Sequence, residues 1–370
     1  MAANASRNYS DLLKHLSSLY DRDNRDTYLS IFVDLQDQNH SKILSRRIKE
    51  IRSALSDKEI ADSLDSMFVK GMESISNLEG KFRSAAVFLQ LNDENIHAVG
   101  LGARIKNSVI LDASPYVLPL ARFADEYEGF LLVLLDGQQS KIYHVEGAVE
   151  EMRHEHEHSA IGRHKKGGWS QMRYQRNREG VVKQFYDEIS SQVDDLISEL
   201  GQVRVMIAGP GAAKKQLLSR LSKNAQKLTI ATEDADLNNN DKKLLDRFIK
   251  LAKEQEQKEE DVYIERLRHG LMKSGMAITG VKSVLEAAES GRVESLLVQK
   301  EILIPGLKCE PCVTYMFNQG ENCPKCFSQG NEVDFANEAV EAAIRNSSHV
   351  EFIDDEFLKG VGNIAAILRW

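Results

Sequence analysis

All four cysteines of the chain, Cys309, Cys312, Cys323 and Cys326, fall in one short segment with the spacing C-x2-C-x10-C-x2-C. Pro311 stands just before the second cysteine of one pair and Pro324 just after the first of the other. This is the pattern of two knuckles closing one tetrahedral metal site. Clustered thiols could instead form a redox pair, but two pairs with no other cysteine favour a structural Zn2+. Four thiolates leave no open coordination position, so the ion would fold a small lobe at about 305–330 and do no chemistry. With no cysteine left for a disulfide scaffold, the remainder of the 370 residues must be held by hydrophobic cores.

The chain can supply them. It is 42% hydrophobic and 28% charged, ordinary for a folded protein of two or three domains. The net charge of -8 excludes a generally basic nucleic-acid coat, so any RNA contact must come from a local patch. No run of 18 apolar residues occurs, and the N-terminal residues lack an export pattern, so a cytoplasmic location is expected.

Apolar spacings near three and four predict helices over residues 9–20, 41–56 and 59–77, and strand composition marks 28–35, 84–89 and 107–111. These form an N-terminal α/β domain, residues 1–124. The middle domain, 125–240, contains the continuous apolar run 129–136, which reads as a strand buried on both faces, with 141–145 as its hairpin partner. Val182, Phe185, Ile189, Val193, Leu196 and Leu200 predict an amphipathic helix from about 180 to 200, followed by a strand at 203–208. Gly209-Pro210-Gly211 lacks the spacing of a phosphate loop and is expected to be a tight strand-to-helix turn. The C-terminal domain, 241–370, resumes the alternation around the cysteine lobe: helix at 283–289, strand at 294–298, helix at 334–345, strand at 349–353. A long helix within 235–260 bridges the two. The fold class is therefore α/β in three domains, the middle one a mixed sheet with helices and a protruding basic loop.

That loop carries the strongest local charge. Arg163, His164, Lys165, Lys166, Arg173 and Arg176 surround Gly167-Gly168-Trp169-Ser170-Gln171. Paired glycines permit close backbone approach to another surface, and Gln171 offers one acceptor and two donors without charge. Such a segment suits a probe entering RNA, with cations on phosphates and a neutral amide at the end to position a water. It can equally be an exposed basic loop before a helix. Trp169 could stack on a nucleotide or pack on the loop's own stem. His154, His156 and His158 would share one face of a strand, either as metal ligands or, with no fourth ligand in view, as part of a solvated charged strand.

The order Gly162-Arg163-His164-Lys165-Lys166-Gly167-Gly168, Ser170, Met172-Arg173-Tyr174 and later Ile207-Ala208-Gly209-Pro210-Gly211 resembles the middle domain of the archaeal and eukaryotic class 1 peptide chain release factors. Residues 279–298, the paired cysteines and 362–370 resemble the C-terminal domain of that superfamily, so the likeness covers about 129–370. In the termination factors glutamine directly follows the two glycines. Here Trp169 holds that place and Gln171 comes two residues later, which resembles the branch of release-factor-like peptidyl-tRNA hydrolases of ribosome rescue and quality control. The resemblance implies cleavage of the peptidyl-tRNA ester on stalled ribosomes, with Gly167, Gly168 and Gln171 catalytic and the six flanking cations and Trp169 on rRNA or tRNA. It also implies docking of a translational GTPase or ATPase on the C-terminal domain. Before residue 129 only Asn39-His40-Ser41-Lys42-Ile43-Leu44-Ser45 loosely echoes a stop-codon-reading segment. A codon-dependent termination factor and a non-hydrolytic ribosome-binding or splitting factor are the alternatives.

Overall fold

The computed structural model describes the chain apart from residues 1–8, 23, 92, 94, 147–148, 158–168, 201–202, 236–240 and 318–321. The side chains of 149–151, 156–157, 169–179, 241–243 and 274 also lie outside the description. The chain divides into two compact units, one of residues 128–255 and one made jointly of 1–127 and 256–370. Among the described residues no helix is long and apolar enough to cross a membrane.

Residues 1–127 contribute α1 (Tyr9–Ser17), β1 (Tyr28–Asp34), α2 (His40–Ala54), α3 (Lys58–Ser76), β2 (Ser84–Gln90), β3 (Ile96–Leu101), β4 (Ser108–Asp112) and α4 (Leu118–Glu126). The four strands form an antiparallel sheet in the order β3-β2-β1-β4. Alternation decides its two faces. Leu29, Ile31 and Val33 pack with Leu44, Ile48, Leu64 and Met67 of α2 and α3, while Phe32 and Phe88 turn to the opposite face with Leu13, Leu16, Leu120 and Phe123. Asp57 starts α3 by accepting hydrogen bonds from the amides of Glu59 and Ile60, which satisfies donors that have no partner inside the helix.

The second unit holds β5 (Phe130–Leu135), β6 (Gln139–Glu146), β7 (Val149–Glu157), α5 (Trp169–Leu200), β8 (Arg204–Ala208), α6 (Gly211–Leu218), α7 (Lys223–Leu228), β9 (Thr229–Glu233) and the start of α8 (Asp241–His269). Strand order is β7-β6-β5-β8-β9, with β5, β8 and β9 parallel and β6 and β7 antiparallel. The apolar run of β5 is buried throughout, as expected: Leu131, Val133 and Leu135 face α5 to α7, and Phe130, Leu132 and Leu134 face Leu244, Leu245 and Phe248 of α8. Asp136 closes the β5–β6 hairpin by accepting from the amides of Gln138 and Gln139 at 2.6 and 2.9 Å.

After α8 and a π-helical turn at Gly270–Ser274 come β10 (Ala277–Thr279), α9 (Val281–Glu289), β11 (Val293–Gln299), β12 (Pro305–Cys309), β13 (Thr314–Met316), β14 (Asn331–Asp334), α10 (Phe335–Arg345), β15 (His349–Ile353), α11 (Glu356–Gly360) and β16 (Ile364–Leu368). One sheet runs β10-β16-β11-β15, and the cysteine lobe has its own, β13-β12-β14. The helix α10 is buried on nearly every side from Phe335 to Ala343. One face packs on the sheet with Leu296, Val298 and Phe352, and the rest meets the 1–127 segment in a single shared core.

Polar groups stitch that junction. Asn337 Oδ1 accepts from the amides of Val117 and Leu118, both at 3.0 Å, and its Nδ2 donates to Glu341 at 2.6 Å. Ser114 also donates to Glu341, Tyr116 donates to Asp334 at 2.9 Å, and the amide of Phe352 donates to Asp125 at 2.8 Å. Burial pushes the Glu341 carboxyl well above its usual range, because a buried site disfavours the charged form.

Candidate functional site

The basic segment joins the edge strand β7 to α5. Of the residues singled out there, Arg163, His164, Lys165, Lys166, Gly167 and Gly168 lie outside the described residues. Trp169, Gln171, Arg173 and Arg176 have their backbones in the first turns of α5. The helix begins at Trp169 rather than near 180, so Gln171 is its third residue. The stretch 169–179 lacks an apolar stripe, which hides a helix from a periodicity reading, but Gln, Met and Arg are all good helix formers. The main-chain amides of this first turn have no acceptor within the helix and lie at its positive end.

Further along, α5 is fixed to the sheet. Phe185, Tyr186, Ile189, Val193, Leu196 and Ile197 are buried in the core beneath it. Arg153 of β7 pairs with Glu199 near the helix C-terminus, and Arg220 lies over the Tyr186 ring at 5.5 Å. Both elements that hold the basic segment are thus anchored on one sheet.

On β7, His154 stands opposite Ile142, and Glu155 opposite Lys141 with a 3.8 Å ion pair. His156 is two residues on, opposite Ser140, and His158 lies outside the described residues. Among the described residues the four cysteines are the only potential metal-holding group of His, Cys, Asp or Glu. Gly209-Pro210-Gly211 is a strand-to-helix turn, as expected: a Cβ on Gly209 would sit 1.9 Å from the Leu135 carbonyl oxygen, and Pro210 precedes α6. Lys214 is held by Asp234 at 2.9 Å. Two further histidines have defined surroundings. His144 is buried against Gly129, where a Cβ would meet its Nε2 at 2.7 Å. His349 bonds Glu351 at 2.7 Å and stacks on Tyr263.

The sulfurs of Cys309, Cys312, Cys323 and Cys326 all lie within 4.8 Å of one another, Cys309 and Cys326 at 3.4 Å. A tetrahedral ion with bonds of about 2.3 Å to sulfur needs sulfurs roughly 3.8 Å apart, so the set fits zinc. Both pairs close in the same way. The residue after each second cysteine, Val313 and Phe327, has a left-handed φ of 47° and 62°, and their amides return to Glu310 and Cys323 carbonyls at 3.2 and 2.9 Å. Hydrogen bonds from the Ser328 hydroxyl and amide hold the Cys326 thiol down to about 6, while its hydrogen bond with Cys326 pushes Cys312 up to about 12.

The buried junction around α10 was not legible as a site. Its only trace in the sequence is the run of Asn337, Glu338 and Glu341 inside an otherwise apolar helix.

With this geometry in hand, residues 115–253 match the profile of Bacterial archaeo-eukaryotic release factor family 10. Peptide chain release factor subunit 1 of Thermococcus kodakarensis is 26% identical over 284 residues, covering 68% of each chain. The protein of the same name from Methanococcoides burtonii is 23% identical, covering 100% of this chain and 99% of its own. Among solved structures, S. cerevisiae Dom34, described as a translation termination-like factor involved in RNA quality control pathways and interacting with Hbs1, aligns with a TM-score of 0.43 at 15% identity, over 78% of this chain and 80% of that one.

Proposed function

Because the chain belongs to the archaeal and eukaryotic release-factor-like superfamily, we propose that it is a ribosome-dependent peptidyl-tRNA hydrolase that frees nascent chains from stalled ribosomes. The observation that carries this reading is the stretch Gly167-Gly168-Trp169-Ser170-Gln171, set in a basic segment within the matched region.

Hydrolysis of the ester needs an aimed water and stabilisation of the oxyanion that forms at the carbonyl, and no acid or base of unusual pKa. Gln171 orients the water through its side chain or backbone, and its place in the first turn of α5 supports the backbone route, because amides there are unpaired donors. Gly167 and Gly168 let the segment come close to the tRNA end. Arg163, His164, Lys165, Lys166, Arg173 and Arg176 line up on rRNA or tRNA phosphates, with Trp169 beside them. Most of the preorganisation comes from the ribosome, so the free protein is nearly inactive. The cysteine set holds a structural Zn2+ in the C-terminal part, where a translational GTPase or ATPase also docks.

The departure from a glutamine directly after the two glycines favours rescue over termination, and the release-factor names of the relatives favour termination. A release assay on stop-codon, stalled and split-subunit peptidyl-tRNA complexes separates them. Release on stalled or split complexes without a stop codon is expected, and strict stop-codon dependence would establish the termination reading instead. Gln171→Ala is expected to lower release by about a hundredfold while ribosome association persists. Undiminished release by that variant rejects the assignment, and ribosome binding with no ester cleavage by the parent protein points to a binding or splitting factor.

A further inference from the structure

The two cysteine knuckles are not supported alike. In the first, the residues on either side of Cys309 are charged and buried, Lys308 at 4% exposure and Glu310 at 6%. Buried charges need partners, and part of the set comes from outside the cysteine lobe. Lys308 Nζ bonds Glu338 of α10 at 2.8 Å and lies 4.2 Å from the centre of the Tyr20 ring, close enough for a cation–π contact. The Tyr20 hydroxyl donates to Glu310 Oε2. Asn331 of β14 hydrogen-bonds the same carboxyl and accepts from Arg25 at 3.4 Å. In the second knuckle, by contrast, Pro324, Lys325, Cys326 and Phe327 are all exposed.

Tyr20 stands between α1 and β1 and is 290 positions from Glu310. Its ring and its hydroxyl hold the two flanks of Cys309 at once. The loop that carries it is itself fixed: the Asp21 amide donates to the Ala113 carbonyl at 2.8 Å and the Thr27 amide to the Asp112 carbonyl at 3.2 Å.

We infer that Tyr20 is a positioning residue for the metal, through which the N-terminal segment raises the zinc affinity of a site to which it supplies no ligand. The Glu310 carbonyl closes the first knuckle by accepting the Val313 amide at 3.2 Å, so holding the Glu310 side chain holds the loop between Cys309 and Cys312. Part of the ordering that coordination requires is then complete before the ion arrives. Partners of this kind, one step removed from the ligands, set metal affinity. The coupling is reciprocal: bound zinc keeps Glu310 against Tyr20 and thereby steadies the loop from Tyr20 to Thr27. The inference rests on the zinc reading of the cysteine set and is independent of the release chemistry.

The test is zinc affinity, measured on the full chain by competition with a chromogenic chelator, for the parent, Tyr20→Phe and Ser114→Ala. Tyr20→Phe keeps the ring over Lys308 and removes only the hydroxyl. Ser114→Ala removes a bond of the same junction, to Glu341 at 3.1 Å, that involves neither flank of Cys309. Affinity is expected to fall by about tenfold in Tyr20→Phe and to stay at the parental value in Ser114→Ala. Hydrogen exchange at the Asp21 amide gives a second readout: in the parent it should quicken when zinc is removed, and in Tyr20→Phe it should be the same with and without zinc. Equal affinity of parent and Tyr20→Phe, or parental Asp21 exchange that ignores zinc, overturns the inference and leaves the metal assignment in place. An equal loss of affinity in Ser114→Ala also overturns it, since any loosening of the junction would then act as well. A parent chain that binds no zinc removes the metal assignment and the inference together.

Discussion

Asp112 shows how much a single side chain can report about this fold. It ends β4, its Oδ1 accepts the amide of Ala113 at 2.7 Å, and burial raises its carboxyl to about 6, with Glu338 adding to the rise and Lys308 and Arg25 opposing it. A carboxyl whose folded pKa exceeds its unfolded value of 3.8 binds protons more readily in the folded state. Its stabilising contribution is therefore complete below about pH 4 and is lost as pH rises through about 6. Urea unfolding of the parent chain and of Asp112→Asn, compared at pH 5 and pH 8, should show the difference. The parent is expected to lose about 1 kcal/mol more than the variant over that interval, after allowance for residual solvent contact. Equal pH dependence in the two proteins would mean that the carboxyl is solvated as in the unfolded chain.

At the scale of elements, the cysteine lobe tests whether local spacing alone can specify structure. Two knuckles were legible because each needs only a cysteine pair and a turn, and both take the same left-handed residue after the second cysteine, at Val313 and Phe327. The strand β5 was legible because both of its faces are covered, so its apolar run has no polar alternation. The start of α5 was not, since its first turns carry no core-facing stripe, and β3 and α4 were missed because their burial depends on partners distant in sequence. Asn337 illustrates the same limit: its bonds to Val117 and Leu118 cap a helix that begins more than two hundred residues earlier in the chain. For the lobe itself the expectation is direct. Metal analysis of protein purified without added metal should return one zinc per chain, and a strong chelator should remove exchange protection from β12 to β14 while β5 and β8 keep theirs. Full protection of the lobe in metal-free protein would show that Met316 and the neighbouring apolar contacts hold it unaided.

For the whole molecule, the decisive feature is that the first and last parts of the chain are one body. The core shared by 1–127 and 256–370 places Leu13, Leu16, Phe32 and Phe88 with Val284, Leu285, Val340 and Phe352. Residue for residue, burying side chains of this kind is worth about 1.5–3 kcal/mol each, far more than the polar bonds of Asn337, Ser114 and Tyr116 contribute net. Those bonds act instead on register, since an unpaired buried amide or carboxyl penalises any other docking of α10. A segment attached in this way delivers whatever it recognises together with the C-terminal part, not as a free arm. Expressed alone, 1–127 should therefore lack a cooperative unfolding transition and expose its apolar face to a hydrophobic dye, because half of its core is missing. Co-expressed with 256–370 it should co-purify as a stoichiometric pair that melts in one transition, and Asn337→Ala in the C-terminal piece should weaken the pair by about 3 kcal/mol, mainly through the two amides left without partners. A monomeric 1–127 that unfolds cooperatively by itself would instead make the shared core a contact between two independently stable domains, and its removal would then leave both of them intact.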